Sequence, residues 1–360
     1  MCGINYSKIQ LKLKSYNYKV DINRIKKLID KEDLLQALKI IKKFRNNFIF
    51  IEIINENKKI IDDLKKILIS IKELKKKNDF KQFDKLNDFH WIIESEIFFK
   101  TKRITEFLKK NKIKISANSI IFARYFLYNI ESMNYLESRG RDSLGISINF
   151  IFENKLNFKT NLDNSNNFSL FYKDLVKNSF LNITAKYSKR IGMSGENSNK
   201  ILDIFEEKKI LKKLSFENLK SFEIYSHTRW ASVGDVTNSN AHPLLEMNKN
   251  NLNICLMNGD INNYKDIKKE LIKKNKFLIN DLNCKNDLQV VPSLFYFNKN
   301  KFNNFAYGSY VLFNFNSHKL DQFFIYKKGS QGLYYSLDED DNIHFASDVY
   351  GLINKVDKLK

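Results

Sequence analysis

The hydrophobic period of this chain changes once, near Arg139, and that change limits the fold more than any other feature. Before it, Leu34, Ala37, Leu38, Ile41 and Phe44 recur at three- and four-residue steps, as do Ile60, Ile61, Leu64, Ile67, Leu68, Ile71 and Leu74. A third stretch, Phe83 to Leu108, carries Leu86, Ile93, Ile97 and Ile104. Such spacing lines one face of a helix. It predicts three or four antiparallel helices from about Asp21 to Ile115, with a break at Asn78-Asp79 and lysines on the solvated faces. A further helix is expected from about Ser116 to Glu137. After Arg139, Ile146, Ile148, Phe150 and Phe152 alternate with polar residues, and Ile183, Ala185 and Tyr187 repeat the pattern. Period-two alternation is the mark of a strand with one face on a core.

The remaining elements follow from the same reading. A helix is expected around Asn197 to Leu214, a strand around Phe222 to Tyr225, and a short apolar strand at Leu252 to Met257, ending at Asn258-Gly259. Helices are expected near Tyr264 to Lys274 and Asp287 to Asn298. A meander should then run through Tyr307–Asn316, Gln322–Lys327, Gly332–Ser336 and Ile343–Ala346. Cys2 to Tyr6 also reads as a strand. The fold class is therefore α+β with antiparallel sheets, and a chain of 360 residues with 43% hydrophobic content can bury one or two cores.

Composition narrows the partners. The net charge of +21 is mostly lysine, accompanied by abundant Asn, Ile and Phe. Scattered lysine without an arginine-rich stripe fits solvated helix faces better than a nucleic-acid site. The best apolar run, Ile120 to Ile130, is short and contains Arg124, so no membrane span is expected. Met1 precedes Cys-Gly-Ile-Asn, which is not a secretory leader. Three cysteines, Cys2, Cys255 and Cys284, make no disulfide framework, and a cytoplasmic location is expected. His90 has no second ligand at metal spacing, and neither a metal nor a cofactor is expected.

Chemistry concentrates in a few short strings. Removal of Met1 would leave Cys2 with a thiol and a free α-amine on one residue. The thiolate is the nucleophile, and an α-amine of pKa about 8 can take the thiol proton. Asn258-Gly259 could supply two donors to a tetrahedral oxyanion, or it could be an ordinary hairpin turn. In His227-Thr228-Arg229-Trp230-Ala231-Ser232, Arg229 offers a planar fork for a carboxylate and Trp230 a flat apolar wall. Asn240-Ala241-His242-Pro243 holds one of two prolines. Asp287, after Asn286, could cap a helix or hold a substrate ammonium. A free amino acid needs one cation and one anion, which Arg229 and Asp287 would provide.

These strings stand in one order with Arg139-Gly140-x-Asp142-Ser143-x-Gly145 and Ala346-Ser347-Asp348, and together they resemble the glutaminase domain of class II glutamine amidotransferases. Within that class the chain is most similar to the domain of the glutamine–fructose-6-phosphate aminotransferases. The resemblance covers Met1 to about Tyr6 and roughly Ile115 to the end. It implies a four-layer αββα N-terminal-nucleophile hydrolase sandwich formed by residues 1–20 and 116–360, with 21–115 as a large all-helical insertion. It implies hydrolysis of L-glutamine through a γ-glutamyl thioester on Cys2, with Asn258 and Gly259 as the oxyanion hole. Arg229 would meet the glutamine carboxylate and Asp287 its amine, and Ser232, keeping a hydroxyl, would be among the substrate-binding residues. Trp230 would gate the ammonia exit, and His242 would stand in the pocket wall. The ammonia acceptor would be a sugar phosphate, fructose 6-phosphate in the family, on isomerase domains missing from this chain or separate from it.

The departures are specific. Ser232-Val233 replaces the family's Thr-His, Arg141 replaces a tyrosine, and a longer linker separates Gly145 from His227. The helical block has no family counterpart, and the chain stops at Lys360, soon after Ala346-Ser347-Asp348. Two other functions remain open from sequence: service to a different acceptor, and a non-catalytic interaction protein with a decayed pocket. A homo-oligomer also remains open.

Overall fold

The structure is a computed structural model that describes residues 2–11, 22–42, 58–77, 83–156, 162–189, 193–247, 250–279, 283–298, 302–338 and 340–352. These fall into two compact units. The first comprises Met1–Leu11, Tyr125–Ile210 and Asn218–Lys360, the second Lys12–Arg124 and Leu211–Glu217.

The second unit is helical in its described residues. It contains α1 (Ile22–Asp30), α2 (34–42), α3 (Lys58–Lys77), α4 (Phe83–Trp91) and α5 (Lys100–Lys110). Between α4 and α5 the backbone winds as a π-helix over Ile92–Phe99. The apolar positions that set the period point to one place: Leu34, Ala37, Leu38, Ile41, Leu64, Ile67, Leu68, Ile71, Leu86, Ile93 and Ile97 share a buried cluster. The lysines between them stay outside it. The expected break at Asn78-Asp79 and the stripe residue Phe44 lie outside the described residues.

The first unit is mixed α and β. One sheet has eight strands in the order β11-β12-β1-β6-β2-β5-β4-β3, a second has four in the order β10-β9-β8-β7, and neighbouring strands pair antiparallel. The strands are β1 (Gly3–Gln10), β2 (Ser143–Phe152), β3 (Leu162–Asn164), β4 (Phe168–Asp174), β5 (Ser179–Ser188), β6 (Leu219–Arg229), β7 (Leu244–Met247), β8 (Leu252–Ile261), β9 (Gly308–Asn316), β10 (Phe323–Lys328), β11 (Tyr334–Leu337) and β12 (Ile343–Ala346). The helices are α6 (Ala117–Leu136), of which Tyr125 onward belongs to this unit, α7 (Glu196–Lys208), α8 (Tyr264–Lys273), α9 (Val291–Asn298) and α10 (Phe302–Phe305).

One buried cluster joins Ile4, Tyr6, Phe171, Phe180 and Tyr225 of the large sheet to Leu252, Ile254, Leu256, Val311, Phe313 and Phe315 of the small one. Alternation then turns Cys255, Met257, Tyr310 and Leu312 to the opposite face of the small sheet, where Ile267, Leu271, Leu294 and Phe302 of the helices cover them. On the large sheet, Phe126 of α6 meets Phe205 of α7 edge-on and Tyr125 meets Phe222 of β6.

Several boundaries differ from the sequence expectation. β8 does not end at Met257 but continues through Asn258-Gly259 to Ile261, held in register against β9 with Gly259 opposite Tyr310. The pair is therefore not a hairpin turn. The helix expected over Asp287–Asn298 starts as a 3-10 turn, Asp287–Val290, before α9. β4 was not foreseen, because a strand buried on both faces loses its alternation. β7, four residues long, was not expected either.

Candidate functional site

The site is assembled from chain segments that pairing brings to one end of β1, β6 and β8. β1 lies between β12 and β6, with Gly3 opposite Thr228, so Cys2 arrives beside the end of β6 where Arg229 and Trp230 follow. The Cys2 Sγ accepts a hydrogen bond from the Trp230 N–H at 3.3 Å and lies 3.7 Å from the Trp230 carbonyl oxygen. The Cys2 N–H donates to Asn258 Oδ1 at 3.2 Å. Residues 256 positions apart in sequence thus meet at the nucleophile candidate. That bond fixes which way the Asn258 amide faces, and Asn258 Nδ2 is left buried without a protein partner. An unpaired donor in a dry place is costly unless something fills it.

Gly259 takes φ +102°, and a Cβ there would stand 1.9 Å from the Ser309 carbonyl oxygen. Only glycine lets β9 approach so closely while keeping the positive φ.

Arg229 is buried, and its guanidinium donates to the carbonyls of Val233 and Asp235, so it organises the loop that follows it. Two of its five N–H groups are used in those bonds, and the rest of the fork remains for an anion. Burial lowers its pKa, and the nearby Cys2, Asp287 and Asp142 oppose that. Trp230 is 57% exposed. Ser232 Oγ donates to Asp260 Oδ1 at 2.7 Å. Asp287 is buried and accepts from the Ile261 N–H at 2.7 Å, three residues beyond Asn258 on β8. Burial pushes its carboxyl up to about 6, the Ile261 N–H opposes that, Asp260 adds to it, and Arg229 opposes it.

Burial also pushes the Cys2 thiol up, against the N–H of Trp230 and the positive charges of the chain terminus and Arg229, while Asp260 adds to the rise. The thiol therefore needs a base.

His242 lies behind β8. Its Nδ1 is 3.3 Å from His227 Nε2, and His227 Nε2 is 2.7 Å from the Met257 carbonyl oxygen. Burial lowers His227 to about 3 and drives His242 down as well, helped by the charges of His227 and Arg229. Both imidazoles are neutral at ordinary pH, and neither can serve as a cationic group.

Motif residues without an assigned chemical role hold this arrangement together. Asp142 accepts from the Ala231 N–H at 2.8 Å. A Cβ on Gly140 would meet the Arg229 carbonyl carbon at 2.6 Å, and one on Gly145 the His242 oxygen at 2.2 Å. Arg139 pairs with Asp348 at 2.6 Å, and Ser347 exchanges two bonds with the Ile4 backbone. Asn240 accepts from the Lys285 N–H at 2.8 Å and binds Asn286 through its carbonyl, which joins the 232–243 loop to Asp287.

Two contributors escaped the sequence reading. Thr228 Oγ1 accepts from the Gly3 N–H at 3.1 Å and so sets the approach of Cys2. Asp260 directly follows the Asn-Gly pair, beyond the strand end expected at Met257, so its charge gave no signal. A Ser7, His344 and Asp338 chain, with contacts of 2.9 and 3.2 Å, looks like a hydrolytic triad, but Ser7 and His344 are fully buried and paired across β1 and β12. It is a structural tie. Among the described residues no cluster of His, Cys, Asp and Glu could hold a metal, and no helix is long and apolar enough to cross a membrane.

The sequence model of the glutamine amidotransferase domain matches residues 219–359, a segment that includes Arg229, Asn258 and Asp287. Residues 219–359 are thus similar to a glutamine amidotransferase domain. Over 100 residues, 28% of this chain, it is 34% identical to the glutamine–fructose-6-phosphate aminotransferase [isomerizing] of Methanococcus maripaludis, and it covers 14% of that protein. Proteins of the same name from Sulfurisphaera tokodaii and Fusobacterium nucleatum are 33% identical over 105 residues and 40% identical over 84, covering 16% and 13% of their lengths. The amidotransferase domain is like theirs, and the matched segment spans about a seventh of each relative.

Proposed function

We propose that the chain hydrolyses L-glutamine to glutamate and ammonia through a γ-glutamyl thioester on Cys2. The observation that carries this reading is the contact between the Cys2 nitrogen and Asn258 Oδ1, which leaves the Asn258 Nδ2 donor unpartnered on the same planar amide as the atom touching the nucleophile.

The steps follow from that geometry. With Met1 removed, the Cys2 α-amine takes the thiol proton, and Sγ attacks the γ-carbonyl carbon. The carbonyl π pair moves to oxygen, and Asn258 Nδ2 with the Gly259 N–H receives the oxyanion. The C–N bond breaks, and the α-ammonium returns its proton to the departing ammonia. Water then cleaves the thioester by the reverse sequence, yielding glutamate and the free thiol. Arg229 holds the substrate carboxylate, with Ser232 beside it, and Asp287 holds the ammonium. Trp230 covers the exit, and His242 supports the wall.

The architecture is read in the same way. We assign residues 1–20 and 116–360 to an N-terminal-nucleophile αββα sandwich and 21–115 to a helical insertion. Support comes from the apolar cluster shared by both sheets and from the helices that cover their other faces. The relatives' printed name supports a sugar phosphate, fructose 6-phosphate, as the ammonia acceptor, bound on isomerase domains. The three cysteines are free, which fits a cytoplasmic enzyme.

The test is glutamate release from L-glutamine. The wild-type chain with a processed N-terminus releases glutamate and ammonia in equal amounts, and Cys2→Ala abolishes both. Release by Cys2→Ala at the wild-type rate would refute the mechanism.

A further inference from the structure

β8 loses one of its two neighbours just before the site. β7 pairs with it only from Leu244 opposite Cys255 to Met247 opposite Leu252. From Leu256 to Ile261 it therefore has β9 on one side and, among the described residues, no strand on the other. Buried backbone groups on the open side need partners from elsewhere. The Met257 carbonyl finds one on the large sheet. His227, fully buried on β6, places Nε2 2.7 Å from that oxygen. A carbonyl only accepts, so this bond puts the ring proton on Nε2. Had the β7 ladder continued, His242 would stand opposite Met257. Its ring packs on that of His227 instead, with centroids 4.4 Å apart and Nδ1 3.3 Å from His227 Nε2. The bare backbone of Gly145 makes room for it, since a Cβ there would stand 2.2 Å from the His242 oxygen.

The bond reaches further than the carbonyl. The Met257 C=O and the Asn258 N–H belong to one planar peptide group, and the Asn258 Cα lies in the same plane. Holding the oxygen therefore holds the base of the Asn258 side chain, whose Oδ1 meets the Cys2 nitrogen and whose Nδ2 has no protein partner. Filling space does not by itself account for an imidazole here. His227 Nδ1 is left buried without a partner, a cost that an apolar side chain would avoid. What the ring adds is the bond to Met257. Resting on the glutaminase reading, we propose that His227 is a positioning residue whose Nε2–H, bonded to the Met257 carbonyl, sets the Asn258 amide where the oxyanion forms beside Cys2. It acts through β8 and touches no reacting atom. His242, packed on its face, keeps the ring in that orientation.

The experiment measures glutamine hydrolysis by wild type, His227→Gln and His227→Asn, each with a processed N-terminus. A Gln amide can bring an N–H to about the place of Nε2, whereas the shorter Asn amide cannot reach the Met257 oxygen. Both variants bury a polar amide in place of the ring, so a loss of packing burdens them alike. His227→Asn should lower kcat roughly tenfold or more, short of the roughly hundredfold cost of losing an oxyanion donor outright, with KM for glutamine within about twofold of wild type. His227→Gln should recover most of kcat. Equal kcat in the two variants, whether both low or both near wild type, overturns this inference alone. So does a raised KM at unchanged kcat in His227→Asn. A processed wild-type chain that releases no glutamate from glutamine overturns the glutaminase reading and this inference together.

Discussion

At the scale of single residues the site is governed by burial. Asp287 illustrates the cost: its carboxyl titrates at about 6 because it is buried, with Asp260 adding to the rise. Since the folded pKa is raised, the fold binds this proton more tightly than the unfolded chain does. The resulting stability is complete below the unfolded value and is lost as pH rises through about 6. Asp287→Asn removes the buried charge, so at pH 7.5 it should melt higher than wild type by on the order of a few °C, and the gap should narrow as pH falls toward 5. The same variant should lose most of its affinity for glutamine. In wild type, KM for glutamine should rise below about pH 6, as the carboxyl becomes neutral, while kcat holds better. Thermal melts and pH-dependent kinetics check both halves. A variant melting below wild type at pH 7.5 would show that the Ile261 hydrogen bond outweighs the burial.

The residues proposed to carry chemistry stand out in the sequence because their types are chemically constrained. A thiol next to the start of the chain, an Asn-Gly pair and an Arg-Trp pair each suggested a reaction before any contact was known. What the sequence left open was their company. The choice between an oxyanion donor and a hairpin turn at Asn258-Gly259 rested on whether the strand continued, and the sequence read it as ending at Met257. Asp260 stayed hidden for the same reason: beyond a strand's end, a charge needs no explanation. Thr228 stands between His227 and Arg229, but its bond to Gly3 depends on β1 pairing with β6 across 225 residues.

At the scale of elements, β8 and β9 form the rigid wall of the site, and glycine makes their closeness possible. Gly259 combines φ +102° with a 1.9 Å approach to the Ser309 oxygen. Gly259→Ala therefore strains the backbone by about 1–3 kcal/mol and also pushes β9 away. Its urea midpoint should fall and hydrolysis should be lost even where the chain remains folded. A Gly259→Ala protein with wild-type kinetics would remove the oxyanion role from this strand end. Element existence was well predicted wherever periodicity was clean, as in α3, α8 and β2. The π-helical turn over Ile92–Phe99 had no such signal, since Ile92, Ile93 and Ile97 fit an ordinary α-helical stripe equally well.

At the scale of the whole molecule, every residue given a chemical role belongs to the unit formed by Met1–Leu11, Tyr125–Ile210 and Asn218–Lys360. The helical residues of the other unit close their own apolar cluster. Replacing 21–115 by a short linker retains α6, whose Asn129 holds Asn5 and Ser226 in the core. The shortened chain should keep glutamine hydrolysis within a few-fold of wild type. Loss of activity in a folded deletion protein would show that the helical block forms part of the site. Among the described residues, Lys27, Lys65, Lys66 and Lys72 are exposed on helices of the helical unit.

The central claim is that Cys2, freed of Met1, is the nucleophile of a glutamine-specific site. Its most direct measurement is the mass of the chain after incubation with a diazoketone analogue of glutamine, whose diazomethyl carbon alkylates a thiol with loss of dinitrogen, followed by peptide mapping. The account predicts one adduct per chain, on an N-terminal Cys2, blocked by excess L-glutamine. An adduct on Cys255 or Cys284, or an unmodified Cys2 at full exposure to the reagent, would contradict it.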